Sequence, residues 1–185
     1  MNKSDGKMLL KIARETIELW VKEKEKIQPQ NYPEKFNEKT GVFVSIHTKS
    51  GELRGCIGYP EPAYPLIEAL VDAAISACGD PRFEPVNSEE LEQLAIEVSV
   101  LTKPELIIVK NLNEYRKKIK IGKDGLIIES GFHRGLLLPQ VAVEWEWTAE
   151  EFLSSTCQKA GLPPDAWLDE NTKIYRFGAV VFREK

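Results

Sequence analysis

Two short alternating runs, Gly41 to Thr48 and Glu52 to Gly58, are parted by Ser50-Gly51, and no other feature of the chain restricts its fold so tightly. Alternation with a period of two marks strands that bury one face, and a Ser-Gly step between them predicts a two-residue hairpin loop. With Lys49 facing Glu52, His47 lies opposite Arg54, Ser45 opposite Cys56 and Phe43 opposite Gly58. Side chains alternate across a strand, so Val42, Val44, Ile46, Leu53 and Ile57 form the core face. Phe43, Ser45, His47, Arg54 and Cys56 then share the opposite face, which sets a thiol and a guanidinium side by side.

The rest of the chain supplies helices to cover such a sheet. From about Asp5 to Lys26, Leu9, Ile12, Ala13, Ile17 and Trp20 fall on one helical stripe. Pro65 is placed to open a helix to about Cys78, which Gly79-Asp80-Pro81 stops, leaving Asp80-Pro81-Arg82-Phe83 as a structured loop. Ser88 is expected to cap a short turn, and Leu94 to Leu101 alternates with Leu94, Ile96, Val98 and Val100 inward. After Lys103-Pro104 come an apolar run at Leu106 to Val109 and a helix near Asn113 to Lys118. A second hairpin is expected around Asp124-Gly125, between Ile119–Ile121 and Leu126–Ile128. Leu136 to Trp147 fits either a strand or a helical turn from Pro139. Thr148 with Glu151 forms a capping box for a helix through Ala160, and Lys173 to Phe182 reads as one closing strand. The sum is an α+β fold with an antiparallel or mixed sheet and packed helices.

Composition removes several classes of function. Lys and Arg number 25 against 29 Asp and Glu, so no net positive field invites a phosphate backbone, and nucleic acid is disfavoured as a partner. The basic cluster Arg116-Lys117-Lys118 reads as a solvated helix end. Cys56, Cys78 and Cys157 form no Cys-x-x-Cys pair, which points to free thiols in a reducing cytoplasm. Two histidines, His47 and His133, have no metal-ligand spacing, and no phosphate-binding glycine loop occurs, so neither metal nor cofactor is expected. No apolar stretch is long enough for a membrane span.

The hexapeptide Leu53-Arg54-Gly55-Cys56-Ile57-Gly58 resembles the signature of the AMMECR family. Six further blocks resemble that family in its order: Gly41-Val42-Phe43-Val44, Asp80-Pro81-Arg82-Phe83, Val98-Ser99-Val100-Leu101, Gly125-Leu126-Ile127-Ile128, Leu137-Leu138-Pro139-Gln140-Val141-Ala142 and Lys159-Ala160-Gly161-Leu162. The resemblance spans nearly the whole chain. It implies a single domain over 1–185 built from two related lobes, which on this sequence meet near 103–110. It implies no particular reaction, and suggests an association with Memo-like and radical S-adenosylmethionine proteins.

Cys56 is the sharpest candidate for chemistry. Arg54 is expected to favour its thiolate and His47, diagonal to it, to act as a base. Asp80 and Arg82 reach the region from their loop as a clamp or an internal ion pair, while Gln140 and Ser99 are candidates for orienting a polar ligand. Each has a structural alternative: cysteines often pack as small hydrophobes, and glycine-flanked strands often serve close packing. Two functions follow, an enzyme with a Cys/Arg site acting on a small or nucleic-acid-derived substrate, and a non-catalytic adapter or binding module whose partner is a protein.

Overall fold

The computed structural model describes residues 1–184. The chain forms two compact units, Met1–Leu101 with the returning segment from Val180, and Thr102–Ala179 between them in sequence.

In the first unit, helix α1 spans Lys3–Glu23. It starts earlier than Asp5 because Asn2 is the cap: its side chain accepts from Asp5 N–H, and the Asp5 carboxylate accepts from Asn2 N–H. Lys24, in the left-handed region at φ 60°, ends it two residues before the expected Lys26. Leu9, Ile12, Ala13 and Ile17 are buried as the stripe requires, whereas Trp20 is only half-buried. Strands β1 (Val42–Thr48) and β2 (Leu53–Tyr59), helix α2 (Leu66–Ala77) and strand β3 (Leu94–Leu101) follow. With β8 (Ala179–Arg183) they give a four-stranded sheet in the order β2-β1-β3-β8. Val42, Val44, Ile46, Ile96 and Val98 are essentially inaccessible beneath α1 and α2, which confirms the predicted core face of β1 and β3.

The hairpin keeps the expected register where the core demands it and departs from it near the loop. Phe43↔Gly58, Val44↔Ile57 and Ser45↔Cys56 hold, but His47 pairs with Leu53. The loop has three residues, because Thr48 N–H donates to the Glu52 carbonyl at 2.8 Å and Gly51 N–H to the Thr48 carbonyl at 2.9 Å. Gly51 sits at φ 95°, the conformation that a three-residue hairpin loop assigns to glycine. The residue gained in the loop shifts the pairing by one, and a bulge at Arg54 shifts it back. Leu53 therefore leaves the core and is exposed, and Arg54 loses its place opposite His47.

In the second unit, β4 (Glu105–Leu106), α3 (Tyr115–Lys118), β5 (Gly125–Ser130), β6 (His133–Leu137), α4 (Pro139–Glu144), α5 (Ala149–Lys159) and β7 (Lys173–Phe177) form a sheet β4-β7-β5-β6 with α5 on β5 and β6. The hairpin turns at Gly131-Phe132 and not at Asp124-Gly125. Asp124 instead closes a local turn by accepting from Lys120 N–H, and Gly131 at φ 57° takes the tight position. Leu136 to Trp147 divides into the end of β6 and α4, with Pro139 opening the helix. The Thr148–Glu151 capping box stands as expected. The tail is two strands in different sheets, broken at Gly178. The turn after Pro85 is capped by Asn87, whose Oδ1 accepts from Glu89 and Glu90 N–H, and not by Ser88.

The two units repeat one topology. Each runs helix, hairpin, helical connection, strand, the connection being α2 in the first unit and α4 with α5 in the second, with the sheet orders β2-β1-β3 and β6-β5-β7, and each adds a fourth strand beside the last. Arg54-Gly55 in β2 answers to Arg134-Gly135 in β6, and the pair Ile46↔Gly55 to Ile128↔Gly135. Both glycines exist for the same reason. A Cβ on Gly55 would stand 2.3 Å from the Ala77 carbonyl oxygen at the end of α2, and one on Gly135 would stand 2.4 Å from the Ala160 nitrogen at the end of α5.

Candidate functional site

Strand β2 is an edge strand, and an edge presents unpaired backbone groups. Here one residue's groups are taken by the loop after α2. Cys56 N–H donates to Asp80 Oδ2 at 2.9 Å, and the Cys56 carbonyl accepts from Arg82 Nη2 at 3.3 Å. Asp80 also accepts from Arg82 N–H at 3.1 Å, Nε at 3.1 Å and Nη2 at 2.7 Å. Asp80 is 2% exposed, yet the Arg82 guanidinium first, then the Cys56 and Arg82 amides, hold its pKa far below the usual carboxylate range against the opposing effect of burial. Arg82 itself has a side chain 57% exposed, resting over the Phe83 ring. It grips the edge with one part of the guanidinium while staying open to solvent.

Because the Cys56 backbone bonds point to the free edge, Ser45 and Cys56 form a non-hydrogen-bonded pair, the closer of the two antiparallel pairings. Their side chains meet: the Ser45 hydroxyl donates to Cys56 Sγ at 3.0 Å. Across the next strand Ser45 faces Glu97, which pairs with Arg183 at 3.0 Å, and Arg183 also reaches His47 Nε2 at 3.3 Å. A polar row thus crosses the sheet on the face away from α1 and α2: Cys56, Ser45, Glu97, Arg183. His47 flanks this row with its Nδ1 buried and unpartnered.

The structure brings Cys56, Asp80 and Arg82 together and places His47 and Ser99 on the same face of the sheet, Ser99 opposite Phe43. Arg54 is engaged elsewhere. Its Nε and Nη2 each bond Glu90 at 2.9 Å, and its Nη1 and Nη2 bond the carbonyls of Glu84 and Pro85 at 2.6 and 3.4 Å. The bulge turns this side chain to the 84–90 loop, which an uninterrupted register conceals. Gln140 belongs to the second unit, exposed on α4, and His133 bonds the Ala160 carbonyl through Nδ1. Alternation alone puts Ser45 on the face it occupies, but its contact with the sulfur depends on the closeness of a non-hydrogen-bonded pair. Glu97 and Arg183 escaped it because pairing of β1 with β3 and of β3 with β8 is not legible from one hairpin.

The three thiols differ in setting. Cys78 is buried at the end of α2, donates to the Ala74 carbonyl, and is pushed up to about 11 by burial. Cys157 is buried in the second core and raised by the same cause. Cys56 alone is partly accessible. The repeated topology gives a direct comparison for its surroundings. Ser45↔Cys56 corresponds to Ile127↔Leu136, and Ser45↔Glu97 to Ile127↔Tyr175. Where the second unit places hydrocarbon and a phenol ring, the first places a thiol, a hydroxyl and a carboxylate. The architecture does not require those polar groups.

Fold and site together define a class of protein: two topologically matching α+β units, one of which carries a partly exposed cysteine on a clamped edge strand. The chain belongs to the AMMECR1 family, whose model matches residues 10–182. It is 58% identical over 182 residues to protein MJ0810 of Methanocaldococcus jannaschii, covering 97% of this chain and 90% of that one. A protein of Methanothermobacter thermautotrophicus is 53% identical over 186 residues, covering 100% and 96%. The crystal structure of the uncharacterized protein PH0010 from Pyrococcus horikoshii is similar with a TM-score of 0.80 and 50% identity, covering 100% of this chain and 94% of the other.

Proposed function

We propose that the protein is an enzyme that uses the Cys56 thiol as a nucleophile on a small substrate, a nucleotide fragment included, with Arg82 receiving the substrate's anionic group. The observation that carries this reading is the polar row itself, since the matching row of the second unit is Leu136, Ile127 and Tyr175. A nucleophile needs access, a fixed backbone and a donor to the sulfur as charge develops. Partial exposure, the Asp80–Arg82 clamp and the Ser45 hydroxyl supply these in turn. Arg54 is assigned to positioning, by holding the 84–90 loop beside β2. The free thiols fit a reducing cytoplasm. Among the described residues no helix is long and apolar enough to cross a membrane.

The test is labelling of the native protein with iodoacetamide and with iodoacetate, followed by peptide mapping. Cys56 is expected to react while Cys78 and Cys157 do not, and Arg82→Ala should slow the anionic reagent more than the neutral one. A Cys56 that stays inert until the protein unfolds overturns the reading. A second reading, a non-catalytic module binding a Memo-like or radical S-adenosylmethionine protein, draws support from Tyr64, half-exposed and edge-on to Tyr59 beside β2. It predicts association that survives Cys56→Ser and fails with Tyr64→Ala, and association indifferent to both dismisses it.

A further inference from the structure

The face of the first sheet that carries the thiol is built in rungs, and the rung next to Cys56 holds an aromatic ring. Cys56, Ser45 and Glu97 make one rung, and Gly58, Phe43 and Ser99 make the next. Phe43 is half-buried, and its ring leans from β1 onto the edge strand, where a Cβ on Gly58 would stand 2.5 Å from both Phe43 Cγ and Cδ1. Gly58 follows Cys56 by two residues on the same face, so at about 3.3 Å per residue the glycine under the ring lies about 7 Å along β2 from Cys56. The rung on the other side of Cys56 is occupied by His47, which is held by Arg183, itself paired with Glu97. A body attached to a carbon at Sγ therefore has the Phe43 ring as its open neighbour.

A ring laid over a strand glycine also stabilises a sheet in its own right, and the second unit uses the same device. Phe43↔Ser99 corresponds there to Gly125↔Phe177, and a Cβ on Gly125 would stand 2.4 Å from Phe177 Cζ. Two things differ. Phe177 is only 3% exposed, whereas Phe43 stays half-buried. The ring of the second unit also leans from β7 onto the inner strand β5, whereas that of the first leans from the inner strand β1 onto the edge strand that carries Cys56. Its rung neighbours Gly58 and Ser99 are small, so no bulky side chain of that rung lies over it. Packing asks for a covered glycine. It does not ask for an open ring beside a thiol.

Resting on the nucleophilic role of Cys56, we infer that the substrate carries a planar aromatic group joined close to the carbon that the sulfur attacks, and that Phe43 is the residue that selects it. The plane of the substrate lies against the Phe43 ring, while its anionic group reaches Arg82 at the edge of the sheet. Aromatic rings attract one another in offset or edge-on arrangements beyond the area they bury, so a flat ring is favoured over a puckered one of equal size.

The probes are iodoacetamide, N-benzyliodoacetamide and N-(cyclohexylmethyl)iodoacetamide, which share one reaction: a bond forms between Sγ and the methylene carbon, iodide leaves, and the thiol proton passes to water. Rates at Cys56 of the full chain are read by peptide mapping and divided by the rate of each reagent with free N-acetylcysteine, which removes intrinsic reactivity. The benzyl reagent is expected to exceed both others by about threefold to tenfold, the range that one aromatic pair supplies. Phe43→Leu should erase that preference, and Phe43→Tyr, which keeps the plane and the cover over Gly58, should retain it. A Cys56 that takes up iodoacetamide without favouring the benzyl reagent, or that favours benzyl and cyclohexylmethyl alike, overturns the role of Phe43 and leaves the thiol reading standing. A preference that survives Phe43→Leu, or is lost in Phe43→Tyr, does the same. A Cys56 inert to all three reagents overturns both.

Discussion

Replacing Asp80 with asparagine keeps the shape of the side chain and removes the charge that four donors share. Oδ1 accepts from Arg82 N–H and Nε, and Oδ2 from Cys56 N–H and Arg82 Nη2. An amide offers one acceptor oxygen, so one pair of donors loses its partner. Hydrogen bonds to a charged group contribute about 1.5–3 kcal/mol each, but those from Arg82 are discounted because its side chain is 57% exposed and water screens it. The expected cost is about 2–3 kcal/mol, or about 5–10 °C in melting temperature for a chain of this size. The assay is a thermal melt paired with hydrogen exchange at the Cys56 amide, whose protection should fall. The sign with pH follows from the direction of the shift. A carboxyl held below its ordinary value contributes stability that is fully present above about pH 5 and is lost as pH falls below about 4 toward the depressed value. The gap between parent and Asp80→Asn should therefore be constant near neutrality and narrow only in acid. A melting temperature unchanged at neutral pH, with Cys56 protection intact, would refute the clamp.

Two further outcomes probe the same neighbourhood. Gly55→Ala should destabilise by about 3 kcal/mol or more, measured by urea unfolding, because the new methyl meets the backbone oxygen of Ala77 and α2 itself must move. Arg54→Ala should cost about 2–3 kcal/mol and raise hydrogen exchange across residues 84–90, while Cys56 labelling stays within about twofold of the parent. A large change in labelling with a quiet loop would return Arg54 to the thiol.

Alternation in Val42–Thr48 and Leu94–Leu101 revealed the core face of the first sheet, because burial on one side leaves a period of two that nothing else produces. The same signal could not reveal the Arg54 bulge, since a three-residue loop and a compensating bulge leave the pairs Val44↔Ile57 and Ile46↔Gly55 unchanged and displace only Leu53 from the core face. Turn chemistry misled at Asp124-Gly125, where the aspartate bonds Lys120 N–H and closes a turn within one chain direction. The break at Gly178 is hidden because Lys173–Phe177 and Ala179–Arg183 are each acceptable strands, and only tertiary placement sends them to different sheets. For the site, Cys56 and its Asp80–Arg82 loop were legible as residues, but Glu97 and Arg183 join Ser45 only through strand pairings distant in sequence.

The polar pair at the thiol serves chemistry and not folding. The decisive experiment is the melting temperature of the double variant Ser45→Ala/Cys56→Ala alongside its reactivity toward iodoacetamide. The melt is expected within about 3 °C of the parent, because one exchanged hydrogen bond contributes about 1 kcal/mol, together with complete loss of native-state labelling. A melt lowered by 10 °C or more would contradict it, by showing that the sulfur and the hydroxyl hold the sheet together.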